Sequence, residues 1–470
     1  MVVIELRRKL RESFSDEISK FNLALAFVII IPTKLYKCMK TMNYFKIVCL
    51  ICMPFIMSCS SELDEVVTSS KDENKDIKRY SYRTYEEALK IAEESIALLD
   101  EVNETRSTSG RRIKDSHYIL NNTATRTVND IDTLMYIFNF EDNAGFAVVS
   151  TNPSTEELIA VTELGNYTSG EPTGNAGFDM YMQLAEEYIA STSLIPVDTT
   201  QIPLTEIKHV AVSDTIKRGP YITVQWGQSS PYNNEAPIVN GVNCPTGCVA
   251  TTIAQILSYY QHPTSLTIDY ETPSYVMDIQ WETINMHKSN RYNQCLCTNP
   301  SVTHSLIAKL FRQIGEDVNM DYNLGGSGAT DRYAKYALNK YGYTCDNFQQ
   351  YQSAVVANSL LKRRLVYMSG EVDGEAGGHT WIIDGYKEIS TTMTTYVRPA
   401  GRVDWDILRV DNSVVSFNHI NWGWNGNCNG YFSPNVFNTA AASRYDPNVS
   451  TNISNNYTVD LNIYPNIQIQ

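Results

Sequence analysis

Apolar and polar positions in the first half of the chain follow two different periods. Residues 84–99 begin with threonine, place glutamate three positions later and repeat apolar residues at helical spacing, which predicts a capped amphipathic helix. Residues 133–140 and 145–150 predict a β-hairpin, and residues 158–162 predict a third strand. Residues 178–188 predict a second helix. This part of the chain has the pattern of a small α+β unit, and it holds no cluster of catalytic residue types.

The second half of the chain carries a helix and a strand signal of its own. Apolar residues at 249, 253, 256, 257 and 260 fall on one face of a helix that starts directly after Cys248. Residues 331–341 predict another helix, and residues 457–464 alternate in the period of a strand. Between the two halves, the stretch 196–220, which includes Lys217-Arg218, predicts an exposed linker open to proteolysis.

The leader predicts export. Residues 39–46 form a short basic region, and residues 47–57 form an apolar run of the length expected in a signal sequence. The run is followed by Ser58 and Cys59, which resemble a lipobox, in which the cysteine is diacylated and becomes the mature N-terminus; a plain signal peptide with an incidental cysteine is the alternative. Residues 61–80 are charged and serine-rich, as expected of a tether.

Residues 1–38 add a second apolar stretch, residues 21–32, before this signal. That stretch is too short to span a bilayer, which takes about 20 residues. We therefore expect the true start at Met39 or Met42, with the preceding residues an over-extension of the gene.

Length and charge limit the classes of function. At 470 residues the chain exceeds what one hydrophobic core usually supports, so two folded units are expected. A content of 43% hydrophobic and 19% charged residues is that of a globular protein. The formal net charge of −14 would repel a polyanion, and the sequence has no basic stripe with interleaved aromatic residues. Both features argue against nucleic acid as a partner.

The ten cysteines are sparse and irregularly spaced, and four of them lie in the leader. The other six are Cys244, Cys248, Cys295, Cys297, Cys345 and Cys428. No pair of C-x-x-C motifs is present, which argues against a structural zinc site, and the chain is too large for a disulfide-dense scaffold. The sequence leaves open whether Cys295 and Cys297 pair elsewhere or stay reduced.

Cys248 is the candidate nucleophile. It follows Pro245-Thr-Gly247 and precedes the helical face, so its thiol would lie at a helix N-terminus. Unpaired N–H groups and the helix dipole there favour the thiolate, which is the nucleophilic form. The alternative is a buried cysteine that packs as a small hydrophobic residue.

A cysteine nucleophile needs a base and a residue that orients the base. His379 follows a glycine turn and opens a predicted strand, and His419 is the rival. Papain-type enzymes place the base roughly 130–150 residues after the nucleophile. His379 follows Cys248 by 131 residues, and Asn421, the candidate orienting residue, follows it by 173. Three other histidines lie too close to the nucleophile for this layout and are interpreted as surface or satisfied polar residues: His262, His287 and His304.

Four segments in this order resemble the streptopain family of cysteine peptidases. They are Trp226-Gly-Gln-Ser-Ser-Pro-Tyr-Asn233, Thr246-Gly-Cys-Val-Ala-Thr251, Gly378-His-Thr-Trp-Ile-Ile-Asp-Gly385 and His419-Ile-Asn-Trp-Gly-Trp424. The unit that contains residues 145–150 resembles, more loosely, the inhibitory propeptide of that family. The resemblance implies Cys248 as nucleophile, His379 as base, Asn421 as orienting residue and Gln228 as oxyanion-hole side chain, with Trp422 shielding the histidine–asparagine pair.

The resemblance also implies an architecture. We expect an α+β, papain-like catalytic domain, with the nucleophile helix packed on an antiparallel sheet, preceded by a small α+β propeptide. The boundaries are then residues 1–59 for the leader, 60–80 for the tether, 81–216 for the inhibitory propeptide and 217–470 for the catalytic domain.

The predicted activity is that of a secreted cysteine endopeptidase made as a zymogen. It would act on proteins or peptides through a thiolate–imidazolium pair and a thioester, with no cofactor and no metal. Export across the inner membrane of a Gram-negative bacterium and a lipid on Cys59 would anchor it at the cell envelope, either on the outer membrane or released after maturation.

Two other functions are alternatives to an endopeptidase. One is a thiol acyltransferase of transglutaminase type with the same dyad, and the other is a non-catalytic surface lipoprotein that binds through exposed aromatic residues.

The glycine-rich stretch 325–330 lacks the lysine and serine or threonine of a phosphate-binding loop, so a turn before the next helix is the better interpretation.

Overall fold

A single antiparallel sheet runs through both halves of the computed structural model. The structure describes residues 82–100, 110–120, 133–192, 206–289, 294–372, 378–398, 403–437 and 459–470. The predicted leader, the tether and Cys59 lie outside these residues. Within the described part of the chain, no helix has the length and apolar character needed to cross a membrane.

The N-terminal part begins with helix α1, Tyr85–Asp100. Its start is a capping box, because the Thr84 N–H donates to Glu87 Oε2 over 2.8 Å and the Glu87 N–H donates to Thr84 Oγ1 over 3.3 Å. The apolar face of α1 buries Ala88 and Ala92 against the sheet. The helix predicted from residues 84–99 is therefore confirmed.

Four strands and a second helix follow in the described residues of this part of the chain. They are β1 (Ile113–Leu120), β2 (Thr133–Phe140), β3 (Phe146–Ser150), β4 (Leu158–Thr162) and α2 (Ala176–Ser191). β2 and β3 form the predicted hairpin, and β4 pairs with β3 as the third strand. The side chain of Asn175 caps α2 by accepting from the Phe178 N–H.

The second part of the chain contributes the remaining elements. Its strands are β5 (Glu206–Arg218), β6 (Ile238–Val239), β7 (Val242–Asn243), β8 (Ser265–Ile268), β9 (Tyr275–Asp278), β10 (His287–Ser289), β11 (Gln294–Cys295), β12 (Tyr343–Thr344), β13 (Gln349–Gln350), β14 (Leu365–Val372), β15 (His379–Arg398), β16 (Asp406–Asn421), β17 (Gly430–Phe432) and β18 (Val459–Ile469). Its helices are α3 (Cys248–Tyr260), α4 (Trp281–Asn285), α5 (Pro300–Asp317), α6 (Asp331–Lys340) and α7 (Ser353–Leu361).

The main sheet joins the two parts edge to edge. Its strands follow the order β1-β2-β3-β4-β17-β16-β15-β14-β18-β12, with β13 beside β18 and β5 beside β15. The junction is the antiparallel pair β4 and β17, in which Val161 lies opposite Tyr431. The N-terminal unit thus extends the sheet that carries His379 and Asn421.

Helix α3 packs on this sheet and forms the centre of the second core. Its residues 249–258 are all buried, and the hydroxyl of Thr252 donates to the Thr380 carbonyl of β15 over 3.3 Å. The predicted fold class, an α+β protein with the nucleophile helix on an antiparallel sheet, is confirmed.

The linker predicted around residues 196–220 is wrong for its second half. Residues 206–218 form β5, which pairs with β15 in register from Glu206 opposite Arg398 to Arg218 opposite Tyr386. Most of this strand is exposed, with Val212 67% and Ile216 39% accessible. Because β5 is held by backbone pairing and not by burial of one face, its sequence lacks a clean apolar alternation.

Candidate active site

Cys248 is the first residue of α3, as the sequence predicts. The preceding Gly247 has φ 85°, in the region that favours glycine, and an added Cβ would lie 2.7 Å from the Met320 side chain and 2.9 Å from the Ser327 carbonyl oxygen. Glycine therefore allows the chain to turn sharply into the helix beside the loop that contains Ser327. This turn places the thiol of Cys248 at the end of the helix where N–H groups are unpaired.

The surroundings of the Cys248 thiol disfavour its thiolate form. Burial raises the pKa of the Cys248 thiol, and hydrogen bonds from the backbone and side chain of Thr380 and from the Val249 backbone lower that pKa only in part. Thr380 directly follows His379 on β15. The nucleophile candidate and the start of the strand that bears the base candidate are therefore in contact.

His379 is the first residue of β15 and is 5% exposed. Its Nε2 lies 3.1 Å from the Trp422 carbonyl oxygen and 3.1 Å from the indole Nε1 of Trp424. The indole can only donate, so a neutral imidazole accepts from Trp424 or donates to the Trp422 carbonyl through that same nitrogen. Burial lowers the pKa of His379 to about 4, and the hydrogen bond to the Trp422 carbonyl offsets this only in part.

Cys248 and His379 do not form a hydrogen-bonded pair in the described part of the chain. Among the described residues, the hydrogen bonds of the His379 ring go to Trp422 and Trp424, and none joins it to the sulfur of Cys248. A protonated thiol and a neutral imidazole do not make a thiolate–imidazolium nucleophile. The arrangement is that of a latent site.

Asn421 ends β16, and none of its hydrogen bonds to described residues goes to His379. Its Nδ2 donates to the Val224 carbonyl over 3.1 Å and to Gln255 Oε1 over 3.0 Å, and its Oδ1 accepts from the Gly423 N–H over 3.1 Å. These bonds hold the amide between α3 and the strand end. The orienting role of Asn421 stays a prediction for the peptidase freed of its propeptide.

Gln228 and Trp422 take different positions around the site. The Gln228 carbonyl accepts from the Thr246 N–H over 3.0 Å, which holds the half-buried Gln228 close to the turn that leads to Cys248. Trp422 is fully buried, and its indole donates to the Cys428 carbonyl over 3.0 Å. Its ring packs against Trp381 and against Phe178 of α2, so it lies between the site and the N-terminal unit.

Helix α2 of the N-terminal unit closes on the base candidate. A Cβ added to Gly177 would lie 2.4 Å from Cδ2 of His379 and 2.6 Å from Cε3 of Trp422. The Asn175 amide also donates to the Asn427 carbonyl over 3.1 Å. Only the absence of a side chain at Gly177 lets the helix approach the imidazole this closely.

His419, the rival base, has a different environment. Its Nδ1 lies 2.6 Å from Asp384 Oδ1, and its Nε2 lies 3.4 Å from Oε1 of Glu163, which belongs to the N-terminal unit. Although burial acts in the opposite direction, the charge and hydrogen bond of Asp384 and those of Glu163 raise the pKa of His419 to about 10. A histidine that stays protonated at neutral pH serves as an ion-pair partner and not as a general base.

Sequence reasoning missed three residues of the site. Gln255 accepts hydrogen bonds from the Asn421 amide and from the Trp226 N–H. The Trp424 indole donates to the His379 imidazole, and Thr380 hydrogen-bonds the Cys248 thiol. Gln255 had a signal, since it is an amide on the buried face of α3. Trp424 and Thr380 gave no such signal, because their contacts depend on the pairing of distant strands.

Ligand-type side chains that could hold a metal come together elsewhere. In the described part of the chain this group is His287, Cys295 and His304, on the β10–β11 hairpin and α5. The structure joins Cys295 and Cys297 in a disulfide, whereas Cys244, Cys248 and Cys345 are free.

Two family models match the chain. The Peptidase C10 family matches residues 226–432, which include all five predicted site residues, and the Spi protease inhibitor family matches residues 56–189. The first match falls on α3 and the strands of the site, and the second falls on the unit whose helix contacts His379.

Individual proteins are also similar to this chain. Streptopain of Streptococcus pyogenes is 26% identical over 341 residues, covering 65% of this chain and 75% of the relative. The thiol protease/hemagglutinin PrtT of Porphyromonas gingivalis is 23% identical over 336 residues, covering 65% of this chain and 34% of the relative. A solved structure of a prointerpain A fragment of Prevotella intermedia is 22% identical with a TM-score of 0.44, covering 69% of this chain and 93% of that one.

These matches give no support to the acyltransferase or to the binding lipoprotein. They place a peptidase domain behind its own inhibitor in one chain, which is the organisation of a zymogen. Residues 226–432 are therefore a Peptidase C10 family domain that follows a Spi protease inhibitor domain, and the chain is the precursor of a cysteine endopeptidase similar to streptopain.

Proposed function

We propose that Cys248 is the nucleophile and His379 the general base of this endopeptidase, and that helix α2 keeps the two apart in the precursor. The observation that carries the proposal is the contact of Cys248 with Thr380, the neighbour of His379, while Gly177 lies against the imidazole. The nucleophile at the start of α3 thus contacts the strand that begins with the base, and the propeptide helix lies against the imidazole.

Release of α2 would let the His379 ring turn from Trp424 toward the sulfur. Proton transfer from Cys248 to His379 would then give the thiolate–imidazolium pair, which the helix N-terminus favours. The sulfur attacks the peptide carbonyl carbon, the imidazolium protonates the leaving amine, and a thioester forms. Water, deprotonated by His379, hydrolyses the thioester and regenerates the thiol.

The oxyanion of each tetrahedral intermediate would be held by the Cys248 N–H and the Gln228 amide. Removal of one such donor costs roughly 3–4 kcal/mol in other acyl-transfer enzymes. The hydrogen bond between the Gln228 carbonyl and the Thr246 N–H supports this role, because it holds Gln228 beside Thr246, which lies two residues before the nucleophile. By resemblance to the family, we expect an apolar residue two positions before the scissile bond.

Maturation requires a cut between the inhibitor and the peptidase. The sequence predicted Lys217-Arg218 as part of an exposed linker, but both residues lie in β5, opposite Lys387 and Tyr386 of β15. A paired strand does not fit an extended substrate cleft until its pairing opens. We therefore expect the first cut before Glu206, with β5 left on the peptidase sheet.

The anchor belongs to the same proposal. A lipid on Cys59 followed by the polar tether would hold the precursor at the cell envelope after export, and release of the propeptide would free the peptidase from that lipid. The support is the basic, apolar and small-residue order of residues 39–59.

The test uses Cys248→Ala and His379→Ala precursors, with His209→Ala as the matched histidine control. His209 is exposed on β5 and bonds to Thr395. We expect the first two variants to stay at precursor size, to leave casein intact, and to be trimmed when active wild type is added. The His209→Ala precursor should mature like the wild type. A Cys248→Ala protein that digests casein would refute the nucleophile.

A further inference from the structure

The β10–β11 hairpin gathers metal-ligand side chains outside the active site. His287 on β10 lies directly opposite Cys295 on β11, and His304 lies in the second turn of α5. One ligand atom of each residue lies within 4.8 Å of the others. Residues directly opposite in an antiparallel pair present their side chains on the same face, which explains the approach of His287 and Cys295.

Two buried ring nitrogens in this group have no hydrogen-bond partner among the described residues. They are Nδ1 of His287 and Nε2 of His304. His287 is 2% exposed, and its other nitrogen, Nε2, lies 3.2 Å from the Tyr232 hydroxyl. The prediction that both histidines are surface or satisfied polar residues is therefore wrong. A buried polar atom without a partner destabilises a fold, so a pair of them calls for a ligand.

The two imidazoles are held close together. Their ring centroids are 4.9 Å apart, at an interplanar angle of 82°. Neutral imidazole is the form that ligates a metal.

The sulfur ligands depend on the redox state of the hairpin. Cys295 and Cys297 form a disulfide, with their Cα atoms 5.1 Å apart. Two molecules of a thiol reductant would supply two electrons and two protons, giving two cysteine thiols and the reductant's disulfide. Since Cys297 is bonded to Cys295 before reduction, its sulfur stays within reach of the same point. Reduction thus adds two sulfur ligands to the two imidazole nitrogens.

We propose that the reduced hairpin binds one Zn²⁺ through His287 Nδ1, His304 Nε2 and the thiolates of Cys295 and Cys297, and that the disulfide is the metal-free form of this site. Two thiolates and two imidazoles are a donor set of structural zinc sites. Tetrahedral zinc separates such ligand atoms by roughly 3.3–3.8 Å. Closure from the 4.8 Å limit thus takes about 1 Å of side-chain movement, and binding releases the two thiol protons.

Zinc at this position would act on the segment that carries Gln228. The Trp226 indole donates to the His287 carbonyl over 2.7 Å, and the Gln225 N–H donates to the Lys288 carbonyl over 2.6 Å. The hairpin is therefore part of the wall behind the proposed oxyanion residue. A rigid metal-bound hairpin would therefore make the conformational order of the segment that carries Gln228 depend on the redox state of the surroundings.

The experiment uses the full precursor carrying Cys248→Ala, which removes self-cleavage and the active-site thiol. One sample is reduced, freed of reductant without air, and titrated with Zn²⁺ against a chromophoric chelator; a second sample is left oxidised. We expect about one equivalent of zinc in the reduced protein and none in the oxidised protein. Cobalt added to the reduced protein should show thiolate-to-metal absorption.

Matched variants assign the ligands. Cys297→Ser should weaken zinc binding by at least roughly tenfold, and the double change Cys295→Ser with Cys297→Ser should abolish it. Cys345→Ser, which removes another free cysteine, should bind as the parent does. His304→Ala, at a partly exposed position, should also weaken zinc binding, and it tests the site if a hairpin variant fails to fold. Failure of the reduced parent to bind zinc, equal binding in both redox states, or thiolate absorption that survives the double change would each overturn the proposal.

Discussion

Gly177→Ala should loosen the latent precursor. The new Cβ would lie 2.4 Å from Cδ2 of His379 and 2.6 Å from Cε3 of Trp422, closer than carbon atoms pack, so α2 must shift outward. Overpacking of a buried contact costs typically about 1–3 kcal/mol. Because the strain exists only while α2 is docked, the open form should become about 5- to 150-fold more populated, at about 1.4 kcal/mol for each factor of ten.

The assay follows trimming of the purified precursor by gel electrophoresis over time. Gly177→Ala should mature faster than the wild type by a factor in this range, up to the rate of the cleavage step itself. Gly110→Ala in the same unit is the matched control, since a Cβ there meets nothing within 4 Å. Placed in a Cys248→Ala background, the Gly177→Ala precursor should also be cut faster by added active enzyme.

The reasoning fails if Gly177→Ala matures at the wild-type rate while its fold is intact by circular dichroism. Alanine near the start of α2 favours the helix itself by up to about 1 kcal/mol relative to glycine. Slower maturation would mean that this gain outweighs the steric contact, and the proposed role of Gly177 would be refuted.

Acid should open the precursor, because burial lowers the pKa of His379 from 6.5 to about 4. The stability that the neutral His379 gives to the latent form is therefore complete above pH 6.5 and is lost as the pH falls toward 4. Hydrogen exchange of α2 in the Cys248→Ala precursor, corrected for the intrinsic pH dependence, should accelerate over that window, and protection that stays constant would contradict this. Glu163→Gln removes the ion pair between Glu163 and the buried His419 of the peptidase, so it should speed maturation a few-fold. Glu157→Gln, which removes an exposed partner of Arg83, should leave the rate of maturation unchanged. Equal rates for the two variants would show that the Glu163–His419 ion pair does not hold the precursor closed. Fatty-acid labelling should vanish in Cys59→Ser and persist in Cys52→Ser, and labelling that survives the first change would remove the lipid anchor.

Local sequence signals predicted the elements that are built locally. The capping box of Thr84 and Glu87 defines the start of α1, and the apolar face after Cys248 defines α3. Both signals lie within a few residues of the structure they specify. The β2–β3 hairpin follows for the same reason, since its strands are joined by a short connection.

Features that depend on distant pairing had no comparable signal. β5 is exposed over most of its length and exists because β15, about 180 residues later, offers it a partner. The contact of Gly177 with His379 joins two different folded units, so neither segment alone reveals it. For the same reason, Trp424 as the neighbour of the imidazole could not be chosen over Asn421 from spacing.

The histidines of the β10–β11 hairpin illustrate a further limit. Their distance along the chain from Cys248 excluded them from a papain-type site, and this reasoning holds for catalysis. It did not reveal that His287 is buried beside His304, because that burial comes from the packing of the hairpin against α5 and Tyr232.

The most direct test of the account is the labelling of a maturing wild-type sample with a cysteine-directed epoxide. Precursor and trimmed bands are separated at successive times, and the labelled residue is identified by mass spectrometry. We predict label on Cys248 in the trimmed band only, because burial raises the pKa of its thiol and because α2, in the function we propose, holds His379 away in the precursor. Label on another cysteine would contradict the nucleophile, and equal labelling of the precursor band would contradict the latency.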